Sequence, residues 1–382
     1  MDLLNGSPFV LDTHQAMDKT GQKYIVALVK ATYDFPKDAT SLPRLAKTQT
    51  PIYAADVFEG EPGFSSPIFE SDYGLRKARC DVVINATAYA PQQQPVAELL
   101  VGMRVHECQK VLRVVGDRTW QGFLGLSPSA PELFTEMPIS YSRAFGGSLP
   151  PQNEKDSGIS YAANPVGCGY AKGKHTALLK GTKVPNLEHP DKPIRQCDGN
   201  YQPYSLGPIG RSWEPRLSCA GTYDDDWKEN TFPLLPADFD EAFFQCTPKD
   251  QQIPFPVGGE AITLMNLHPT RERIHFLLPD LEMPMVLLTK QHIQHKLKPV
   301  VDCLTLNPDK EEFTLLWRAH FPIKRSLNEI LTVAIGKISQ CKWRSLVMGT
   351  GTCSGEIEPD NADDVVDVTD AMDNCSDCGL SA

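Results

Sequence analysis

"KYIVALVKATYDF", residues 23–35, decides the fold class. Ile25, Ala27, Val29, Ala31, Tyr33 and Phe35 recur at every second position, while Lys30, Thr32 and Asp34 take alternate ones. A repeat of two is the side-chain period of an extended chain, so the stretch reads as a strand buried on one face for most of its length.

The same pattern spreads in both directions from it. It covers 82–90, then "VGMRVHECQKVLRVV" (101–115), where two apolar runs flank the polar "HECQK" as in a hairpin. It returns at 261–267, 274–278, 285–289, 300–306 and 313–321, the last alternating Phe313, Leu315, Trp317, Ala319 and Phe321 with more polar neighbours. Helical signals are few. "PADFDEAFF" (236–244) has Asp238 in a capping position, Glu241 three residues on, and Phe239 and Phe243 one turn apart, which predicts a short helix. "SLNEILTVAIGKI" (326–338) admits a helical turn at Ser326, but its β-branched residues favour a strand.

Between the strand-rich ends, prolines and glycines recur every few residues, and the 32 prolines of the chain argue for many turns and long connections. The expected fold is therefore mainly β: two antiparallel, sandwich- or barrel-like domains with a long loop-rich middle and few short helices. The expected boundaries are an N-terminal β domain over 1–125, a middle region over 126–255 packed on the β framework, a C-terminal β domain over 256–350 and a tail over 351–382. With 382 residues, more than one ordinary core supports, a division of this kind is the prior.

The net charge of −11 is localised. Residues 354–382 hold nine acids and no Lys or Arg, and removing them leaves 39 acids against 37 bases. The tail is expected to be disordered and dispensable for folding, because it lacks the apolar area that offsets chain entropy. The nearly neutral body lacks the basic face a nucleic-acid partner requires. Eleven cysteines, an odd number thinly spread, read as free thiols in a reducing compartment. The opening "MDLLNGSPFVLDTHQAMDK" lacks a basic segment followed by an apolar run, and no run approaches the roughly 18 residues of a membrane span. A cytoplasmic protein without membrane contact is expected.

No motif announces chemistry. The glycine-rich stretch "YSRAFGGSLPPQNEKDSGISYAANPVGCGYAKGKH" (141–175) has neither phosphate-binding spacing nor a strand-to-helix frame. Gly146, Gly147, Gly167 and Gly169 are better assigned to tight turns, with "RAFGG" and "NPVGCGY" packed on the framework and the segment between them exposed. "GTCSG" (351–355) imitates a nucleophile elbow at Cys353, but an acidic tail follows where a helix is needed. His292 and His295 form one H-x-x-H and Cys375 and Cys378 one C-x-x-C, whereas a structural zinc site takes four converging ligands. Asp224, Asp225 and Asp226 lack the spacing of a calcium loop and read as a solvated turn before Trp227. No catalytic residue, metal or cofactor is expected.

Several separated stretches nonetheless carry a resemblance: "QTPIYAADVFEGEPGFSSPIFESDYGLRKARCDVVINATAYAP", "VVGDRTW", "MPISYSRAFGG", "NPVGCGY", "VPNLEHP", "GPIGRSWEPRLSCAGTYDDDW", "PLLPADFDEAFFQCTPKDQQ" and "GGEAITLMNLHP". Together, from about Asn5 to about Leu316, they resemble domain-of-unknown-function family 2169. The sequence departs from the family at Cys168, where Arg or a similar residue is expected. The resemblance implies a non-enzymatic adaptor or chaperone of the type VI secretion system of Gram-negative bacteria. Such a protein binds a toxic effector and assists its loading onto the spike protein and its PAAR-repeat tip. It brings no catalytic or cofactor residues. Candidate partner-binding residues are Arg118, Trp120, Arg143, Trp213, Arg216 and Trp227, because Trp and Arg dominate interface hot spots. The competing reading is that these side chains pin the long loops to their own framework. Two other functions are weighed: a structural component of the secretion machine, with a self-complementary interface, and a carbohydrate-binding or hydrolytic β protein, with two carboxylates facing each other across a cleft.

Overall fold

The structure is a computed structural model that describes residues 1–38, 40–122, 125–324, 326–349 and 365–376. In chain order its main strands are β1 (Asp2–Gly6), β2 (Val10–Met17), β3 (Lys23–Asp34), β4 (Cys80–Ile84), β5 (Glu98–Val105), β6 (Cys108–Val115), β7 (Leu187–Glu188) and β8 (Gln252–Ile253). They continue as β9 (Ala261–Met265), β10 (Arg273–Leu277), β11 (Met285–Thr289), β12 (Gln294–Lys296), β13 (Val300–Asn307), β14 (Glu312–Ile323), β15 (Ile330–Ser339) and β16 (Val365–Asp367). The four α-helices among the described residues are short: α1 (Glu214–Leu217), α2 (Asp225–Asn230), α3 (Gln340–Met348) and α4 (Val368–Ser376).

The protein is mainly β, with several sheets, a loop-rich middle and few short helices. A seven-stranded sheet runs β2-β3-β14-β13-β4-β8, with Arg44–Leu45 pairing on β3. One five-stranded sheet runs β7-β6-β5-β9-β10, and another runs β1-β15-β11-β12 with β16 on β15. Most pairs are antiparallel, but β1 with β15 and β4 with β13 are parallel. The segments expected to form separate N- and C-terminal β domains contribute strands to the same sheets: β3 pairs with β14 over twelve positions, and β5 with β9. One hydrophobic cluster accordingly draws on all three large sheets, from Val29 and Leu315 through Met103 and Phe276 to Leu287 and Val333.

The hairpin forms as the pattern requires. β5 and β6 pair from Val105 and Cys108 back to Glu98 and Val115, and His106 supplies the positive φ of 53° that a two-residue turn needs. The segment at 326–338 does both things its sequence allows. Ser326 and Glu329 close a reciprocal capping box on a single 3₁₀ turn, and β15 follows.

Three expectations are corrected. First, β3 is buried on both faces, because Val26 and Leu28 are as covered as Ile25 and Val29, and residues 46–79 lie over Lys30 and Thr32. Second, Asp238 caps no helix. Its carboxylate accepts from the N–H and hydroxyl of Thr222 at 3.0 and 2.8 Å, and the local helix is one 3₁₀ turn, Glu241–Phe244, capped by Asp240. Third, the tail is not wholly unstructured. β16 pairs with Lys337–Ser339, and Val368 and Ala371 of α4 are fully buried with Trp343 of α3 against Val286, Leu288 and Ala334. The remaining tail residues lie outside those described.

Candidate functional site

The outer face of the seven-stranded sheet carries a layer of buried charge. Alternation along β4 turns Cys80, Val82 and Ile84 into the core and Asp81 outward. Asp81 is fully buried and saturated with donors: Lys77 Nζ at 2.7 Å, the Gln245 amide at 3.0 Å, the Cys246 and Thr247 N–H groups at 3.0 and 3.1 Å, and the Thr247 hydroxyl at 2.6 Å. Burial pushes this carboxyl up, but Lys77 and the hydrogen bonds outweigh it and hold its pKa below 3.8. Lys77 also faces Glu70 at 3.7 Å. Glu70 in turn receives Arg216 at 2.5 Å and Arg211 at 3.1 Å. Beside this chain, Lys30 pairs with Asp72 at 2.7 Å beneath the Tyr53 ring, and the buried Arg318 pairs with Asp302 while donating to Gly74 O at 2.7 Å. These contacts tie residues 46–79 and 203–252 to the sheet. The sequence signal was available, since Lys30 and Asp81 interrupt apolar runs, but nothing local pairs them with Asp72 or Thr247.

The glycine-rich stretch packs as tight turns. Phe145–Gly146 pairs in parallel with Cys168–Gly169, and a Cβ at Gly146 (φ +150°) would sit 2.2 Å from Asn164 O. The Asn164 side-chain amide donates to Tyr141 O and Phe145 O at 2.9 and 3.1 Å, clamping the two turns together. The segment between them is pinned as well as exposed. The Asp156 carboxylate accepts from the Gln152 N–H, His175 and the Gly158 N–H, which hold its pKa far below the usual carboxylate range. Burial pushes the Cys168 thiol up to about 11.

The six candidate partner-binding residues lie in three places. Trp120 is fully buried in a small core with Phe145, Leu179, Val184 and Ile194. Arg118, also buried, donates to Pro185 O and Glu188, both at 2.6 Å. Arg143 reaches Asn186 at 3.1 Å and Asp117 at 3.8 Å and stays partly exposed. Trp213, 3% exposed, meets Tyr141 edge-to-face at 5.2 Å. Arg216, 2% exposed, donates to Ile209 O, Phe243 O and Glu70. In this structure, then, Arg118, Trp120, Trp213 and Arg216 hold loops to the framework.

Trp227 differs. Asp224 caps α2 by accepting from the Trp227 N–H at 2.9 Å, so the three aspartates are a helix start rather than a free turn. The indole donates to Leu234 O at 2.9 Å, and its ring lies 4.7 Å from Tyr223 and 5.7 Å from Phe232. Tyr223 is 49% exposed and Phe232 67%, so this aromatic group is both ordered by hydrogen bonds and open to solvent. Sequence reasoning missed Phe232, although an aromatic beside a proline among charged neighbours is the available signal. Two further clefts, of about 450 Å³ on the middle region and about 360 Å³ where residues 138–141 meet 59–86 and 307–310, are both lined by Tyr141. The larger has a single carboxylate, Asp250, which is paired with Lys110 at 3.1 Å.

The remaining motifs do not converge. His292 hydrogen-bonds Leu346 O at 2.9 Å while His295 lies 4.6 Å from the Phe321 ring, and no metal-holding cluster of His, Cys, Asp and Glu occurs among the described residues. Cys353 and Cys378, and the side chain of Cys375, fall outside those described. Among the described residues seven cysteines are free thiols, but Cys341 is disulfide-bonded, which corrects the expectation that every cysteine is free. Among the described residues no helix is long and apolar enough to cross a membrane.

The fold and its interior thus define a β scaffold whose long loops are fastened by buried polar contacts. The model of the family described as "Uncharacterized protein conserved in bacteria (DUF2169)" matches residues 20–318, and the chain belongs to that family. No curated protein and no solved structure matches it.

Proposed function

We propose that this protein is a non-enzymatic, cytoplasmic adaptor that holds a protein effector and assists its loading onto the spike and PAAR-repeat tip of a type VI secretion system. The partner class comes from the sequence resemblance. The structural observation that supports it is the exposed aromatic group of Tyr223, Trp227 and Phe232 on an ordered arm, since rigid aromatic side chains provide contact area at low entropic cost. The exposed Asp224, Asp225, Asp226 and Glu229 adjoin it in the chain and outnumber the one base among them, Lys228, so the complementary surface is apolar with a basic rim. The buried ion pairs beneath residues 203–252 support the same reading, because they pre-organise the arm that presents the group.

Affinity capture of the tagged protein from its native host tests this. Recovery of a large toxin together with a PAAR or spike protein is the expected result. Replacing both Tyr223 and Phe232 by alanine is expected to weaken effector capture by about thirtyfold or more, the loss of roughly 2 kcal/mol typical of a hot spot. Recovery of only this chain, assembled into a ring or filament, overturns the adaptor reading in favour of a structural component.

A further inference from the structure

The charged layer contains two thiols that the adaptor reading does not use. Cys303 of β13 is the register partner of Asp81, and the Asp81 carboxylate accepts from the backbone N–H of Cys246, which brings the two cysteines onto the same outer face. Each side chain shifts the titration of the other; Lys77 Nζ lies 3.6 Å from Cys246 Sγ, and Cys303 Sγ lies 3.8 Å from the Thr305 hydroxyl. Cys80, next to Asp81 in β4, belongs to the core cluster, and burial and the charge of Cys303 push its thiol well up. Both thiols line a cavity of about 20 Å³, room for one water-sized molecule. Cys303 is partly exposed, whereas Cys246 is 1% exposed.

We propose that Cys303 and Cys246 form a hydrogen-peroxide-reactive dithiol, in which Cys303 meets the oxidant and Cys246 closes an intramolecular disulfide. Interaction with the Cys246 side chain and the Lys77 cation hold the Cys303 thiol below its usual pKa, against burial and the Asp81 and Asp302 carboxylates. Interaction with Cys303 together with burial pushes the Cys246 thiol up; because Cys303 is the partly exposed sulfur and Cys246 is 1% exposed, Cys303 is the attacking sulfur and Cys246 the resolving one. The Cys303 thiolate attacks one oxygen of hydrogen peroxide: the S–O bond forms, the O–O bond breaks, and the departing hydroxide takes up a proton as water. Cys246 then loses its proton and attacks the sulfenic sulfur; the S–S bond forms, the S–O bond breaks, and a second water leaves. Two electrons pass from the two sulfurs to one peroxide. The product bond staples the turn that holds Asp81 to strand β13. The small cavity selects a water-sized oxidant over glutathione disulfide.

The test treats the full-length protein with hydrogen peroxide near neutral pH, alkylates the remaining thiols and maps the digested peptides. A peptide linking Cys246 to Cys303, absent after the same exposure to glutathione disulfide and reversed by a dithiol reductant, is the expected result. Cys246→Ser is expected to leave Cys303 as a sulfenic acid that dimedone traps when the oxidised protein is unfolded in its presence, and Cys303→Ser to leave Cys246 reduced. Cys303 remaining a thiol, advancing to sulfinic acid while Cys246 stays free, or Cys246 linking to Lys77 would each overturn the proposal. The wild-type map alone decides this, whether or not the variants fold.

Discussion

Asp81 is the residue on which the outer layer turns. Five donors from Lys77, Gln245, Cys246 and Thr247 converge on a carboxylate that has no exposure to water. Asp81→Ala is expected to destabilise the protein by about 3–5 kcal/mol in urea unfolding, because it leaves the buried Lys77 without its nearest counter-charge. The folded pKa of Asp81 lies below its unfolded value, so its contribution is present above pH 3.8 and is lost as pH falls through the folded value. The urea midpoint of the wild type is therefore expected to fall more steeply than that of Asp81→Asn when pH drops below 4. Equal slopes would show that Asp81 is not the linked group. At this scale the sequence was half legible. Trp120, Trp213, Arg118 and Arg216 stood out by residue type, yet whether such a side chain faces a partner or its own loop depends on which distant carbonyl lies opposite.

At the scale of elements, the turns of the glycine-rich stretch carry the clearest expectation. Gly146 has a backbone unsuited to side chains and no room for one, so Gly146→Ala is expected to cost about 2–4 kcal/mol and to lower the melting temperature by several degrees. Limited trypsinolysis should cut at the exposed Lys155 well before Arg143; prompt cleavage at Arg143 would contradict packed turns. The hairpin of β5 and β6 and the strands beyond residue 260 were legible, because their period-two patterns coincide with one-sided burial in β9 and β10. The far side of β3 was not. Val26 and Leu28 make its apolar run nearly continuous, the mark of two-sided burial, but the covering segment begins more than ten residues downstream. The misassigned helix at 236–244 has a similar cause: Thr222 claims Asp238, and the capping role passes to Asp240.

For the whole molecule, the tail and the ends of the chain matter most. β1 pairs in parallel with β15, and β16 pairs with the end of the same strand, so residues from both chain termini complete one sheet. Val368 and Ala371 bury the outer face of that sheet together with Trp343. A chain ending at Gly349 is therefore expected to lose roughly 2–5 kcal/mol through exposure of Val286, Leu288 and Trp343, and to aggregate on warming. A truncated chain as stable and monomeric as the full one in equilibrium unfolding would show that the tail contributes nothing. The acidity that made this segment read as unstructured is real, but a few apolar positions within it suffice when a sheet face awaits them.

The amino-acid sequence by itself determined the fold class, the hairpin, most strand positions and the family, because alternation and turn chemistry are local and survive any arrangement of the strands. Only the tertiary structure decided that strands from both ends share sheets, that Asp81, Glu70 and Lys30 are buried with partners, and that Cys303 lies beside Cys246. Apart from the contacts of Lys77 with Asp81 and Glu70, those outcomes join residues from 42 to 330 positions apart, and no local pattern encodes which distant segment closes over a polar side chain.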